Sequence, residues 1–282
     1  MKKLILNVLM WLFGSFLLVS FYVFYLYKTE IYKDRVLGKE IYLSIRKSNE
    51  KSKSGNLLIG DSVGKQFYDN THEDSLINSL ACNHGISMAG MYILVQNYLE
   101  SGNEIDNLII FTSPLLFENN LEEYYNFNYF LKPFFKEKYK GHFTPTVWEK
   151  IKKNPFYRFS QLPWIKTINW SPRIEIKKEE DYHFLSPISV EYLKKIEALS
   201  NKHNFNTKII SPPISESKAK QLKSIEVKNE INDHNLTSLF DVYFDEMIIM
   251  DNENFIQETH LTNIALTKDL RQIVKDKVLK HL

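Results

Sequence analysis

The residues best suited to chemistry in this chain are a serine and a histidine far apart in sequence. Ser62 stands in Gly60-Asp61-Ser62, directly after the apolar run Leu57-Leu58-Ile59. A short apolar run stopped by glycine reads as a buried strand. Ser62 then lies just past that strand's carboxyl end, where open α/β sheets bind their ligands. A helix starting at Val63 would point its free N–H groups and positive dipole end at an oxyanion beside Ser62. A serine hydroxyl becomes a useful nucleophile only when a base takes its proton. His260 can be that base, because an imidazole with a pKa of about 6.5 shuttles protons near neutrality. It follows Phe255-Ile256-Gln257-Glu258-Thr259 and precedes the last amphipathic segment. His84 is a further candidate neighbour of the site. The plainer reading of the tripeptide is a helix cap, since Asp and Ser both cap helices.

Ser62 and His260 can meet only if a sheet carries both to one edge. Short apolar strands alternate with amphipathic segments, which predicts a parallel sheet flanked by helices. Strands are expected at 56–59, 108–111 and 208–210, with a weaker one at 80–82. Helices are expected at 88–99, capped by Ser87, at 190–203, and at about 262–280. Between 117 and 187 the pattern breaks down into a stretch rich in tyrosine and phenylalanine that holds Trp148, Trp164 and Trp170. A stretch of that length without clear elements reads as an insertion or lid. Its aromatics could cover a substrate cleft; forming the insertion's own core is the favoured reading, because aromatics dominate core burial.

Lys2 and Lys3 precede an uncharged run over 4–27, with Tyr22, Tyr25 and Tyr27 at its far end. As a helix such a run crosses a hydrocarbon core of ~30 Å, and its tyrosines suit the headgroup layer. The bulky residues near its end lack the small-x-small pattern of a cleavage site. The expected organisation is a membrane anchor over 1–27, a charged stalk over 28–53, and a soluble domain over 54–282. Lysines and arginines on both sides of the run leave its orientation open on charge alone.

The 282 residues are 44% hydrophobic and 25% charged, a globular composition. The net charge of +2 gives no concentrated positive face for nucleic acid, so no such partner is expected. Cys82 is the only cysteine, which excludes an internal disulfide and a multi-cysteine metal site. It ends an apolar run and reads as a buried structural residue. Gly60 to Lys65 imitates a phosphate loop, but the glycine spacing is wrong and no Ser or Thr follows Lys65. No metal or cofactor is expected.

Taken together, these blocks resemble the SGNH/GDSL hydrolase superfamily, in particular its membrane-anchored members that acetylate or deacetylate cell-surface polysaccharides. Gly60-Asp61-Ser62 is similar to that family's first block, Asn83-His84-Gly85-Ile86-Ser87 to its second, and Thr259-His260-Leu261 to its last. The likeness covers about 55–113 and 205–282. It implies a three-layer α/β/α domain with a central parallel sheet. It also implies Ser62 as nucleophile, His260 as base, and an oxyanion hole from backbone N–H groups of Ser62 and of the Met88 to Gly90 region. Two departures stand out. Where the family keeps an acid, three residues before the histidine, this chain has Gln257, which leaves Glu258, Gln257 or a simple Ser-His dyad to complete the site. Where the family keeps an oxyanion-binding asparagine, Thr112-Ser113-Pro114 stands, which leaves either Ser113 as a substitute donor or a hole built from backbone groups alone. The implied activity is O-acetyl transfer or removal on a carbohydrate. The implied partners are that acyl-ester substrate, the membrane and a membrane-bound acyl-transfer protein, with the soluble domain extracytoplasmic. The competing expectation is an inactive, membrane-tethered carbohydrate-binding or assembly component.

Overall fold

The computed structural model describes residues 1–71, 76–173, 182–256 and 259–282. Strands β1 (Asn56–Gly60), β2 (Asn78–Ser79), β3 (Asn107–Phe111) and β4 (Asn206–Ile210) form one parallel sheet in the order β2-β1-β3-β4. The continuous apolar runs of β1 and β3 are what a sheet buried on both faces requires. Leu57, Ile59, Leu108, Ile110 and Ile209 point into one core, while Leu58, Ile109, Phe111 and Ile210 point into another. Helix α1 (Lys2–Lys28) leads into α2 (Lys39–Ser48). After β1 come the single turn α3 (Ser62–Lys65), then α4 (Ser87–Glu100) and α5 (Pro114–Glu118). The first core lies under α2, α4 and the helix Pro187–His203. The second is covered by Leu270, Val274 and Val278 of the helix Lys268–Leu279, whose spacing of four places them on one stripe. The chain is therefore a mixed α/β protein with a parallel sheet, as the alternation of elements predicts.

Four local expectations change. Residues 28–53 are not merely a stalk, because Ile41 and Ile45 of α2 are buried in the same core as Ile59. The weak strand at 80–82 is displaced to β2. Ladder bonds nevertheless continue beyond it, from Leu80 N–H to Leu58 O at 2.8 Å and from Cys82 N–H to Gly60 O at 2.9 Å. The last helix starts at Lys268 rather than near 262, because Thr267 caps it by accepting from Leu270 N–H at 3.1 Å. Among its described residues the insertion shows no separate core: Phe127, Phe130, Phe134 and Tyr139 are buried in the main one. Cys82 is fully buried, and burial pushes its thiol pKa up to about 12, which leaves it unreactive.

Helix α1 reaches a mean hydropathy of 2.2 and none of that window is buried. By length and apolarity it can cross a membrane, a property that secretory signal sequences share. Two strand pairs complete the fold, β5 (Ile214–Ser215) beside β6 (Ile249–Met250), and the antiparallel pair β7 (Phe255–Ile256) and β8 (His260–Leu261).

Gly60 and Gly64 are fixed by a close approach. A Cβ on Gly60 would lie 2.1 Å from the carbonyl oxygen of Phe111, and one on Gly64 2.3 Å from the same atom. The turn leaving β1 is thus pressed onto the end of β3. Gly64→Ala must push backbone away from backbone, and such overpacking costs about 2 kcal/mol or more. Urea unfolding of the detergent-solubilised chain should show that loss. An unchanged midpoint would contradict the close approach.

Candidate active site

Asp61 organises the site, and it does so from full burial. Its extended backbone makes it the N-cap of α3, where Oδ1 accepts from the N–H groups of Val63 and Gly64, both at 3.0 Å. Its second oxygen, Oδ2, accepts from Ser113 N–H at 3.1 Å and from the Ser113 hydroxyl. One carboxylate therefore ties the end of β1 to the end of β3. The helix-cap reading holds for Asp61, and it leaves Ser62 free to act.

Ser62 follows on the first turn of α3, half-buried, with its Oγ 2.8 Å from His260 Nε2. The two residues are separated by 198 positions and meet over the carboxyl edge of the sheet. This distance is what proton transfer from a serine hydroxyl to an imidazole requires. His260 lies on β8, paired with β7 through Ile256. A residue that sequence reasoning passed over holds β8 in place. Gln66 Nε2 donates to Leu261 O at 3.0 Å, and Gln66 Oε1 accepts from Leu261 N–H at 3.2 Å. Gln66 sits one helical turn after Ser62, so the turn that carries Ser62 also clasps the strand that carries His260. Its spacing from Ser62 was the only available signal, and an isolated glutamine carries no chemistry of its own.

The Nδ1 atom of His260 is 3.2 Å from Thr259 Oγ1. Gln257 and Glu258, the expected orienting residues, lie outside the described residues. The expected oxyanion donors divide. Ser62 N–H opens α3, and Asp61 takes the next two N–H groups, not this one. Met88 is in the first turn of α4, where N–H groups have no partner within the helix. Gly90, one turn in, has its N–H within the helix ladder, so it is no donor. Its missing side chain instead admits Ile86, whose Cβ would be 2.6 Å from a Cβ there. Ser113 is also corrected: it is 1% exposed and gives both its N–H and its hydroxyl to Asp61.

His84 shares this edge. Its Nε2 lies 3.0 Å from the Tyr125 hydroxyl, and its ring meets Tyr125 edge-on. Three asparagines fix the turn that carries it: Asn83 accepts from Gly85 N–H at 2.8 Å, Asn119 donates to His84 O at 3.1 Å, and Asn126 donates to Gly85 O at 2.7 Å. Burial is the main cause that pushes the His84 pKa below its ordinary 6.5; Asp61 pulls it up and His260 pushes it further down. His84 is therefore neutral at pH 7 and does not oppose charge on His260. The unfolded chain binds this proton more readily than the folded one. Stability is then intact above pH 6.5 and declines as the pH falls through 6.5 toward the lower folded value. His84→Gln should flatten that decline in denaturant titrations at a series of pH values. An unaltered slope would show that His84 does not contribute to it.

Among the described residues no group of three or more His, Cys, Asp or Glu stands together as a metal site. No protein-family model matches the chain, and no curated protein matches it. A solved structure from Streptococcus pneumonia, described provisionally as a platelet activating factor, matches with 12% identity over 84% of this chain and 92% of that one. Its TM-score is 0.36, too low for the likeness to carry fold or function.

Proposed function

We propose that this chain performs serine-dependent acyl-ester chemistry, the transfer or removal of an O-acetyl group on a carbohydrate, on a three-layer SGNH-like domain. The observation that carries the reading is the 2.8 Å contact between Ser62 Oγ and His260 Nε2 at the carboxyl edge of a parallel sheet. His260 takes the Ser62 proton as Oγ attacks the ester carbonyl. The tetrahedral oxyanion is held by the backbone N–H of Ser62 with that of Met88 as second donor. His260 then returns the proton to the departing alcohol oxygen, leaving an acyl-Ser62 ester. Water or a sugar hydroxyl gives a proton to His260 and attacks that ester; as the bond from the acyl carbon to Ser62 Oγ breaks, His260 returns the proton to Oγ, which restores both residues. The carbohydrate part of the reading rests on the resemblance of the sequence blocks. Helix α1 is read as a single-pass anchor, with the domain outside the cytoplasm and the acyl group supplied by a membrane-bound acyl-transfer protein.

A second reading has its own observation. The Ser113 hydroxyl is committed to Asp61 where the resembled family keeps an oxyanion donor, and removing one such donor costs about 3–4 kcal/mol of transition-state stabilisation. This favours a tethered carbohydrate-binding component without turnover. A fluorophosphonate probe separates the two. The enzyme is expected to be labelled at Ser62, and labelling should vanish in His260→Ala. A folded chain that stays unlabelled would support the binding component.

A further inference from the structure

Residues 156–170 of the insertion turn apolar side chains outward. Phe156, Phe159, Leu162, Trp164, Ile168 and Trp170 are between 37% and 50% exposed. The segment is firmly held in this attitude. Lys132, itself 1% exposed, donates from Nζ to the carbonyls of Ile168 and Trp170, both at 2.8 Å. Gln161 donates to Leu131 O at 2.9 Å, and Asn169 accepts from Leu37 N–H at 2.6 Å. Such a patch, braced from behind by polar ties, marks a contact surface.

Its neighbour identifies what covers it. Trp164 stacks on Phe16 of α1, with ring centroids 5.8 Å apart and planes 7° from parallel. Phe16 is roughly 18 Å along the helix from Lys28, so on an α1 that spans a bilayer the Trp164 ring lies at acyl-chain depth. Two residues on, Lys166 extends the other way. It is 3% exposed; its backbone N–H donates to Leu162 O at 2.9 Å, but its Nζ makes no hydrogen bond or ion pair with the described residues. Burial first, then the charges of Lys136 and Lys33, push its pKa down to about 7, opposed by Glu30. Glu30 is already ion-paired to Lys33. Lys33 and Lys136 also line a cleft of about 530 Å³ just past the end of α1, together with Arg46, Lys138 and the carboxylates of Glu30, Asp34 and Glu50. A buried ammonium without a counter-charge is costly. In the cleft Lys33, Arg46, Lys136 and Lys138 face Glu30, Asp34 and Glu50, and Lys166 adds a further cation close enough to feel Lys33 and Lys136, so positive charge is in excess and an anion can be accommodated. Long lysine stems that follow apolar surface up to a charged layer are the usual arrangement at a membrane interface.

We infer that this face binds an anionic phospholipid of the bilayer, with Phe159, Leu162 and Trp164 against its acyl chains and Lys33, Lys136 and Lys166 around its phosphate. The inference rests on the reading of α1 as a membrane span, and the test separates the two. The full chain is placed in nanodiscs whose lipids carry bromine on the acyl chains, and tryptophan emission is compared with Trp11→Phe and Trp164→Phe. Trp11 lies within α1. Loss of a quenched component in both variants is the expected result. Loss in Trp11→Phe alone would overturn the lipid site and keep the span; loss in neither would overturn the span, and with it the lipid site that rests on it. For the phosphate, native mass spectrometry of the chain released from mixed phosphatidylglycerol and phosphatidylcholine nanodiscs should show preferential retention of the anionic lipid. The preference should fall about fivefold for each lysine lost, so Lys136→Gln with Lys166→Gln lowers it about 25-fold. Equal retention of both lipids would refute the site. Displacement of the bound lipid by millimolar inorganic phosphate would reassign it to a free phosphate ion.

Discussion

Turnover is expected to collapse on the order of 10⁴-fold or more in Ser62→Ala, and to nearly the same level in His260→Ala. The reason is the shared proton. Without the imidazole, Ser62 Oγ stays protonated and weakly nucleophilic; without the hydroxyl, the imidazole has nothing to activate. The double variant should therefore be no slower than either single variant, because residues acting as one unit are far from additive. The measurement is hydrolysis of an activated acetyl ester by the detergent-solubilised chain. Losses that multiply in the double variant would mean that the 2.8 Å contact is structural and that catalysis lies elsewhere.

The second large effect is on stability. Asp61→Ala leaves the N–H groups of Val63, Gly64 and Ser113 and the Ser113 hydroxyl without their acceptor in a fully buried place. Each buried donor left unmade costs about 1–3 kcal/mol, and partial relaxation brings the sum to about 3–5 kcal/mol. That is a large share of the 5–15 kcal/mol by which domains of ordinary size are stable. Asp61→Asn keeps one oxygen for the α3 cap but turns an NH₂ group toward the two Ser113 donors, so it should recover only part of the loss. Guanidinium unfolding of parent, Asp61→Asn and Asp61→Ala should rank them in that order. A change below about 1 kcal/mol in Asp61→Ala would remove the carboxylate from its bracing role.

Sequence periodicity was sufficient for the sheet because each central strand is short, apolar and stopped by a chain-breaking residue. Leu57-Leu58-Ile59-Gly60 and Leu108 to Phe111 are strands for the same reason, and both faces of each are buried. It failed where tertiary contacts decide. Residues 39–48 look charged in sequence, yet a stripe including Ile41 and Ile45 is enough to draw α2 into the core. The Ser62 and His260 positions were readable because each sits at a junction between elements. The role of Ser113 was not, because an apparent oxyanion donor and a carboxylate-bound serine have the same sequence. Only the position of Asp61 Oδ2 distinguishes them. Gln66 was hidden for the opposite reason: it works by pairing with the backbone of Leu261, and backbone partners leave no mark on residue type.

The long interval between Ser62 and His260 also bears on how the molecule is made. A ribosome completes β1 through β4 before it adds His260, so a chain interrupted after Ile210 carries its serine with no base to activate it. Such a fragment also lacks the helix bearing Leu270, Val274 and Val278, and leaves Leu58, Ile109, Phe111 and Ile210 uncovered on one face of the sheet. In the proposed reaction a segment synthesised well after the sheet is thus the one that arms the serine and hides the greasy face that quality-control proteases and chaperones recognise. On that reading a half-made chain is inert and conspicuous at the same time.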